Sequence, residues 1–260
     1  MRVPDLRSTI AAEWTKLRSV RSTWLTLALA PVVAIGLTAL FSAAVAAGHA
    51  SLSPPEQLAF DPVGNGLVGL GLALILFVVL AVNATAPEFS SRMIAVSLAI
   101  TARRGRFLAA KALVVAAVSA VAGLVCAVVT FVVSQAIFAG AGVPSAGFGD
   151  PGVVRILLGW GLQMVLFSLL GVLVTVLLRS AAGAIATLLG LVYLPAIFGP
   201  MLPAWVTEYV LRYLPSATAD SFTGNGTGNL PLWAAGLVMT AWVGLLWTVT
   251  RYVLGVRDAR

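Results

Sequence analysis

Polar and apolar residues occur along this chain in long blocks, not at the short periods of a soluble helix or strand. Six apolar blocks are each close to or above the roughly 20 helical residues that cross a 30 Å hydrocarbon core. They cover residues 24–47, 66–86, 111–139, 153–178, 181–202 and 232–250. Charged side chains occur only at block ends, where Lys111 and Arg155 are expected to extend toward the interface. The pattern predicts an all-α polytopic membrane protein with six transmembrane helices.

Basic residues lie almost entirely on every second connection between the apolar blocks. Fourteen of the sixteen lie before the first block, between the second and third, between the fourth and fifth, or after the sixth. Only Arg155 and Arg212 lie on the other connections. Because Lys and Arg accumulate on the cytoplasmic side of membrane proteins, we expect both termini in the cytoplasm.

Composition supports a lipid environment and excludes several other classes of protein. The chain is 60% hydrophobic and only 10% charged, against about 25% charged in an average soluble domain. Its net charge of +7 lies at membrane-flanking positions, so lipid headgroups are expected partners and nucleic acid is not. Cys126 is the only cysteine and His49 the only histidine, which leaves no cysteine-based or multi-histidine metal site. The bias toward Ala, Gly, Val and Arg is typical of a GC-rich bacterial genome, and a bacterial cell membrane is the expected location.

We interpret residues 1–260 as one transmembrane domain. Its parts are an amphipathic helical segment (1–23), spans one and two (24–86), a cytosolic segment (87–110), spans three to six (111–250) and a cytosolic tail (251–260). The small residues of the external loop at 218–230 predict a flexible connection. Before it, the order of Glu208 and Arg212 predicts a short surface helix over 204–214 with an i,i+4 ion pair.

Two cytoplasmic elements have the residue pattern of helices that bind a membrane surface or a partner protein. Leu6, Ile10, Trp14 and Leu17 recur at helical spacing, which predicts a helix lying flat in the interface. It serves either as an anchor or as a mechanical element, and the pattern does not decide between them. In the segment 87–110, apolar and charged residues on separate helical faces favour a docking surface for a partner.

These same segments resemble the membrane subunits of ABC-2-type ATP-binding-cassette transporters, and in particular subunits of actinobacterial type. The resemblance rests on the run from Glu13 to Ser19 and on the order of residues between spans two and three. That order comprises Glu88, Met93, Ile94, Leu98, Arg103, Arg104, Arg106 and Lys111. The six-span layout with a proline-rich end of the fifth span is similar too.

The resemblance implies a permease subunit without its own catalytic, cofactor or metal site, driven by a separate ATPase subunit that binds ATP. Consistent with this, the sequence contains no GxxxxGK[ST] phosphate-binding loop. It also implies that the cytosolic segment is a coupling helix and the amphipathic helix a connector. Contacts with the ATPase are then expected from Glu88, Arg92, Met93, Ile94, Glu13 and Lys16, although each charged member could instead face solvent or lipid headgroups. The other permease half is a second copy or a related chain, and the absence of an importer-type EAA motif favours export.

The amides of Asn83, Gln135 and Gln163 are the candidate contacts with cargo inside the spans, unless they only join helices by hydrogen bonds. The class of cargo stays open. An ion-coupled secondary transporter is the main alternative, but such proteins use ionisable residues within spans, and no span interior here contains one. An intramembrane enzyme lacks a base near any nucleophile, whereas a non-transporting membrane component is not excluded.

Overall fold

The computed structural model describes residues 5–90, 104–224 and 230–257. Within these ranges six helices are long and apolar enough to cross a membrane, which confirms the predicted all-α polytopic fold. They are α2 (Arg21–His49), α5 (Gly69–Asn83, continued by the short helix α6, Pro87–Ser90), α7 (Arg104–Gly140), α8 (Val153–Leu178), α9 (Ala181–Phe198) and α12 (Leu232–Arg257). The shorter helices are α1 (Leu6–Ser19), α3 (Pro54–Leu58), α4 (Pro62–Asn65), α10 (Ala204–Tyr209) and α11 (Pro215–Thr223). Single 3₁₀ turns cover Gly199–Met201 and Leu211–Tyr213.

Helix α8 lies at the centre of the bundle. In its most apolar stretch 67% of the residues are buried, whereas the corresponding share is only 11% in α9 and in α12. Helices α5 and α7 pack on α8, and α2 packs on both of them. Helices α9 and α12 therefore present most of their apolar surface outward, to lipid or to another protein.

The first two spanning helices approach each other at a glycine. Gly69 lies so close to the carbonyl of Ala34 that an added Cβ would overlap it. The Gly69 N–H donates to Thr38 Oγ1 at 3.0 Å, so a polar contact closes the same crossing. Farther along the bundle Ser119 donates to Ser168 at 2.9 Å and links α7 to α8. Such close crossings are typical of membrane helices, whose association depends on packing and interhelical hydrogen bonds.

Helix α1 forms as predicted but buries a different face. The Asp5 carboxylate caps its first turn by accepting the N–H of Ser8 at 2.8 Å. Leu6 and Trp14 are exposed and free to meet lipid, whereas Glu13, together with Thr9 and Leu17, is buried against the bundle. A charged residue is thus turned inward, which requires a partner for it.

The segment between α9 and α12 differs from the sequence prediction in two ways. The expected helix over 204–214 is divided into α10 and a 3₁₀ turn, and Glu208 and Arg212, both of which the structure describes, form no ion pair. The first part of the expected flexible loop forms the end of helix α11, where the backbone of Phe222 lies directly against Gly159 of α8. Tertiary packing outweighs the weak helix propensity of this Ser- and Thr-rich stretch.

Candidate functional site

Four charged side chains meet at the end of the bundle where α1, α6 and α7 converge. Lys111 Nζ lies 2.7 Å from Glu13 Oε2 and 3.1 Å from Glu88 Oε1. Lys16 Nζ lies 2.6 Å from Glu13 Oε1 and 3.0 Å from Glu88 Oε1. Acids and bases alternate around a closed ring, and its net charge is zero. We call these four residues the ionic quartet.

The positions of the quartet follow from local helix geometry. Glu13 and Lys16 are one helical turn apart on α1, so both carboxylate and ammonium face the same side. Glu88 lies in the first turn of α6, next to Pro87, which suits the first turn because its missing N–H has no helical partner there. Lys111 lies two turns inside α7, and its ammonium also donates to the carbonyl of Ala84, where α5 ends.

Burial makes the quartet dependent on its own pairing. The side chains of Glu13 and Lys111 are each only 4% exposed and that of Glu88 is 9% exposed, whereas Lys16 reaches solvent with 40%. An isolated charge at such a depth costs several kcal/mol, so each buried member requires its neighbours. Burial alone lowers the pKa of Lys16, but the hydrogen bonds and charges of Glu13 and Glu88 outweigh it and the net shift is upward. Lys16 therefore stays charged at neutral pH.

Aromatic rings support the quartet and the short helix that holds Glu88. The buried ring of Phe107 has the Lys16 and Lys111 ammonium groups 5.6 Å and 5.4 Å from its centroid, within range of cation–π attraction. On the other side of α6, the guanidinium of Arg179 lies 5.8 Å from the ring of Phe89. Arg179 ends α8 in the left-handed region, with φ of 51°. The turn between α8 and α9 is thereby in contact with α6.

A cavity of about 230 Å³ opens beside the quartet, between α1, the start of α2, the end of α5 and the start of α7. Leu17, Val114 and Val115 supply apolar walls, and Asn83 lies on the lining together with Glu88. Glu88 Oε2 is buried and has no hydrogen-bond partner among the described residues. The cavity thus has mainly apolar walls beside a group of paired charges, and the unpartnered Glu88 oxygen is buried away from solvent.

The predicted ATPase contacts fall into two groups. Glu13, Lys16 and Glu88 are brought together, and Lys111 is a second partner of both acids. Arg92, Met93 and Ile94 lie outside the described residues. Lys111 was expected to extend toward the interface, whereas the structure buries it to 3% exposure. The predicted apolar block begins at Lys111, but the helix begins two turns earlier at Arg104, so this lysine lies inside a spanning helix, where it needs a carboxylate.

The three amides considered for the cargo path do not meet. Asn83 lines the cavity beside the quartet. Gln135 lies near the other end of the bundle, where it donates to the carbonyl of Pro62 at 2.9 Å and accepts the N–H of Ala146 at 2.8 Å. These bonds tie the two adjoining loops together. Gln163 lies within α8 and hydrogen-bonds to Asp220 of α11.

Asp220 was not among the residues singled out in the sequence. It lies on α11, outside the six spanning helices and on the opposite side of the bundle from the quartet. Burial raises its pKa from the ordinary 3.8 to about 6, and the hydrogen bond from Gln163 opposes this rise only in part. The indole N–H of Trp160, one turn before Gln163 on α8, is buried without a partner among the described residues.

The raised pKa of Asp220 predicts a pH-dependent stability. The folded protein binds this proton more tightly than the unfolded chain does, so the contribution is complete below about pH 4 and is lost as the pH rises to about 6. The loss is on the order of 3 kcal/mol. We expect Asp220→Asn to remove this component, measured as the difference in thermal unfolding between pH 4.5 and 7.5 relative to the unchanged protein. Glu208→Gln, an exposed acid of the same segment, is the control and should leave the difference unchanged; equal effects of the two variants would contradict the burial of Asp220.

Comparison with known families decides the class of protein. The family model described as "ABC-2 family transporter protein" matches residues 9–199, well over half of the chain. The chain belongs to the ABC-2 transporter family. The matched region begins within α1, ends just after α9 and includes all four residues of the ionic quartet. No curated protein matched the chain. Membership of this family and six apolar spanning helices give a multi-pass membrane protein with a permease-type transport role.

Proposed function

We propose that the chain is the permease subunit of an ATP-driven exporter and that a separate ATPase subunit binds and hydrolyses the ATP. The observation that carries the proposal is the ionic quartet. It joins the connector helix α1, the helix α6 at the start of the cytosolic segment, and the third spanning helix into one unit. A force applied to the cytosolic segment would reach α1 and α7 through these contacts.

The quartet supports a role in transmitting movement, because the energies of its ion pairs depend on the distances between the charged groups. Ion pairs in a poorly hydrated site strengthen or weaken steeply with distance, and a buried charge cannot simply turn to solvent when its partner moves. Displacement of Glu88 would therefore shift Lys16 and Lys111 with it. ATP binding on the partner would favour one arrangement of the bundle, and hydrolysis would favour the other, as a population shift.

The outward faces of α9 and α12 support assembly with a second permease half, either another copy or a related chain. Only 11% of the most apolar stretch of each is buried within the chain, so a large apolar area is available to a partner or to lipid. The basic residues before α2, between α5 and α7 and after α12 support an orientation with both termini in the cytoplasm, and the residue composition supports a bacterial cell membrane. In this orientation the quartet faces the ATPase.

The test is purification of the complex and reconstitution with the ATPase encoded beside this chain. We expect the two subunits to copurify in mild detergent and transport in proteoliposomes to require both proteins and ATP. Transport of cargo by the chain alone, driven by an ion gradient, would contradict the proposal and favour the secondary transporter.

Removal of residues 1–20 tests the connector role of α1 separately. This deletion removes Glu13 and Lys16 but leaves the pair of Lys111 with Glu88, so we expect membrane insertion to persist. Recovery of the ATPase with the truncated chain should fall by about tenfold, corresponding to about 1.4 kcal/mol of lost interaction. An undiminished recovery would make α1 an anchor only. The Leu6→Ala and Trp14→Ala double variant, altered on the exposed face alone, is the control.

A further inference from the structure

An apolar groove of about 420 Å³ lies between the spanning helices α8 and α12. Its apolar walls comprise Leu162, Leu166, Leu169, Met239, Val243 and Trp247. Gly236 and Gly244 also lie on the lining, and neither would have a foreign atom within 4 Å of an added Cβ. The hydroxyl of Thr240, on the same lining, donates to the carbonyl of Gly236 at 2.7 Å. The glycines of α12 therefore leave space at the surface of the bundle, and that space is apolar.

The dimensions of the groove suit one hydrocarbon chain. Along α12 its lining extends from Gly236 to Trp247, about 16 Å of helix at 1.5 Å per residue. Divided by this length, the volume of about 420 Å³ gives a cross-section of about 25 Å². A helix with its side chains is about 10 Å across and does not enter so narrow a space. The occupant is therefore a single acyl chain, and the remaining surface of α12 stays available to another protein.

The two ends of the groove differ in chemistry. Phe222 of α11 lies on the lining at the end where α12 begins, with its backbone against Gly159 of α8. At the other end, the same face of α12 continues one turn beyond Trp247 to the exposed Arg251. The guanidinium of Arg251 lies against the start of α7, where a Cβ added to Gly105 would be 3.4 Å from its Nε. One end thus has an apolar residue and the other a cation.

The charges at this second end favour an anionic head. Among the described residues Arg251 takes part in no salt bridge. The described carboxylates near this end have partners, because Glu13 and Glu88 pair with lysines and Asp5 caps α1. An arginine fork matches the oxygens of a phosphate, and basic positions beside membrane helices attract anionic lipid heads. A head that carries an additional ammonium group finds no such match here.

We propose that the groove binds one acyl chain of an anionic phospholipid, whose phosphate lies on Arg251. The lipid comes from the leaflet at the quartet end of the bundle, since Arg251 and the start of α7 lie there. It would contact α8 and α12 with its chain and fill space that the side chains of these helices leave open. Its binding depends neither on the ATPase nor on the proposed transport role.

Photolabelling of the full-length chain tests the site. The chain is placed in phosphatidylcholine nanodiscs with a small fraction of phosphatidylglycerol that carries a diazirine near the end of one acyl chain. We expect label in the peptides that contain Leu166 and Thr240, and about fivefold less label from phosphatidylcholine with the same photoreactive chain. Equal labelling by the two lipids would show ordinary boundary lipid without recognition of the head and would overturn the proposal.

Two variants remove the two features of the site separately. Arg251→Gln should lower labelling by phosphatidylglycerol to the level of phosphatidylcholine, whereas Arg21→Gln, at another exposed arginine, should not. Gly244→Leu fills the groove and should lower labelling by both lipids. Gly36→Leu places the same side chain on α2, again with no foreign atom within 4 Å of the new Cβ, and is the control. Full labelling of Gly244→Leu would place the chain elsewhere and contradict the assignment.

A cysteine in the groove distinguishes the lipid from a second copy of this chain. Thr240→Cys is combined with Cys126→Ala, so that the new thiol is the only one. We expect no disulfide between two chains under oxidising conditions, and undiminished labelling of the groove by phosphatidylglycerol. A disulfide-linked dimer together with loss of the label would identify another copy as the occupant and refute the lipid site.

Discussion

Replacement of Lys111 by methionine is expected to lower the free energy of unfolding by about 3–5 kcal/mol, the cost typical of leaving a buried charge unpaired. Glu13 has a side chain that is 4% exposed and would keep only Lys16 as a partner. The carbonyl of Ala84 would also lose its donor. Thermal unfolding followed by tryptophan fluorescence in detergent measures the change.

A second change on the same pair distinguishes an unpaired charge from lost packing. The double variant Lys111→Met and Glu13→Gln is neutral and leaves Lys16 paired with Glu88, so it should recover much of the stability. Arg21→Met removes an exposed positive charge at the start of α2 and is the control. A loss in Lys111→Met no larger than in Arg21→Met would show that the ion pair with Glu13 contributes nothing.

The second large effect concerns function. The double variant Lys16→Gln and Glu88→Gln removes the charged link between α1 and α6 but leaves the buried pair of Glu13 with Lys111. We expect normal assembly and ATP hydrolysis, with transport per ATP hydrolysed reduced by about tenfold, within the range of about 1–3 kcal/mol typical of coupling between sites. The measurement is cargo flux and phosphate release in the same proteoliposomes.

A matched control removes one acid and one base from the opposite side of the bundle. Glu56→Gln with Arg155→Gln makes the same change in charge at two exposed positions there, and transport per ATP should be unaffected. If flux and hydrolysis fall together in the Lys16 and Glu88 variant, the defect lies in the ATPase contact. Unchanged flux per ATP would leave the quartet as a purely structural feature.

The spans were predictable because the bilayer imposes a length and excludes charge. The fourth block, 153–178, coincides with α8 to the residue, and the other predicted blocks overlap their helices over most of their length. Gly69 was within the second block, but its close contact with Ala34 depends on how two helices cross. A period in the sequence does not contain that information.

The quartet was only partly predictable. Family resemblance identified Glu13, Lys16 and Glu88 as contacts with the ATPase, without indicating that they form one ion-paired group. Lys111, which pairs with both acids, was expected at the interface. Lys111 lies 98 positions from Glu13 in the sequence, so their contact depends on the rotation of α1 about its axis. The hydrophobic pattern of α1 predicted that Leu6 and Trp14 face lipid, yet the buried face is set by the ion pair.

Helix α11 could not be predicted at all, because it depends on tertiary contacts and not on a local sequence pattern. Its Ser- and Thr-rich sequence is typical of a loop, and the helix is held by neighbours, with Phe222 over Gly159 and the Ser216 hydroxyl donating to the carbonyl of Leu191 at 3.1 Å. Asp220 is partly buried for the same reason, and no local signal marks it.

The crossing of α2 and α5 has a consequence for how the protein could open. The Ala34 carbonyl lies against Gly69, and Gly69 donates a hydrogen bond to Thr38. These two helices therefore have no room to slide past each other and should move as one rigid body. A change in access from one side of the membrane to the other would then involve movement at the less tightly packed contacts of α9 and α12 with the rest of the bundle.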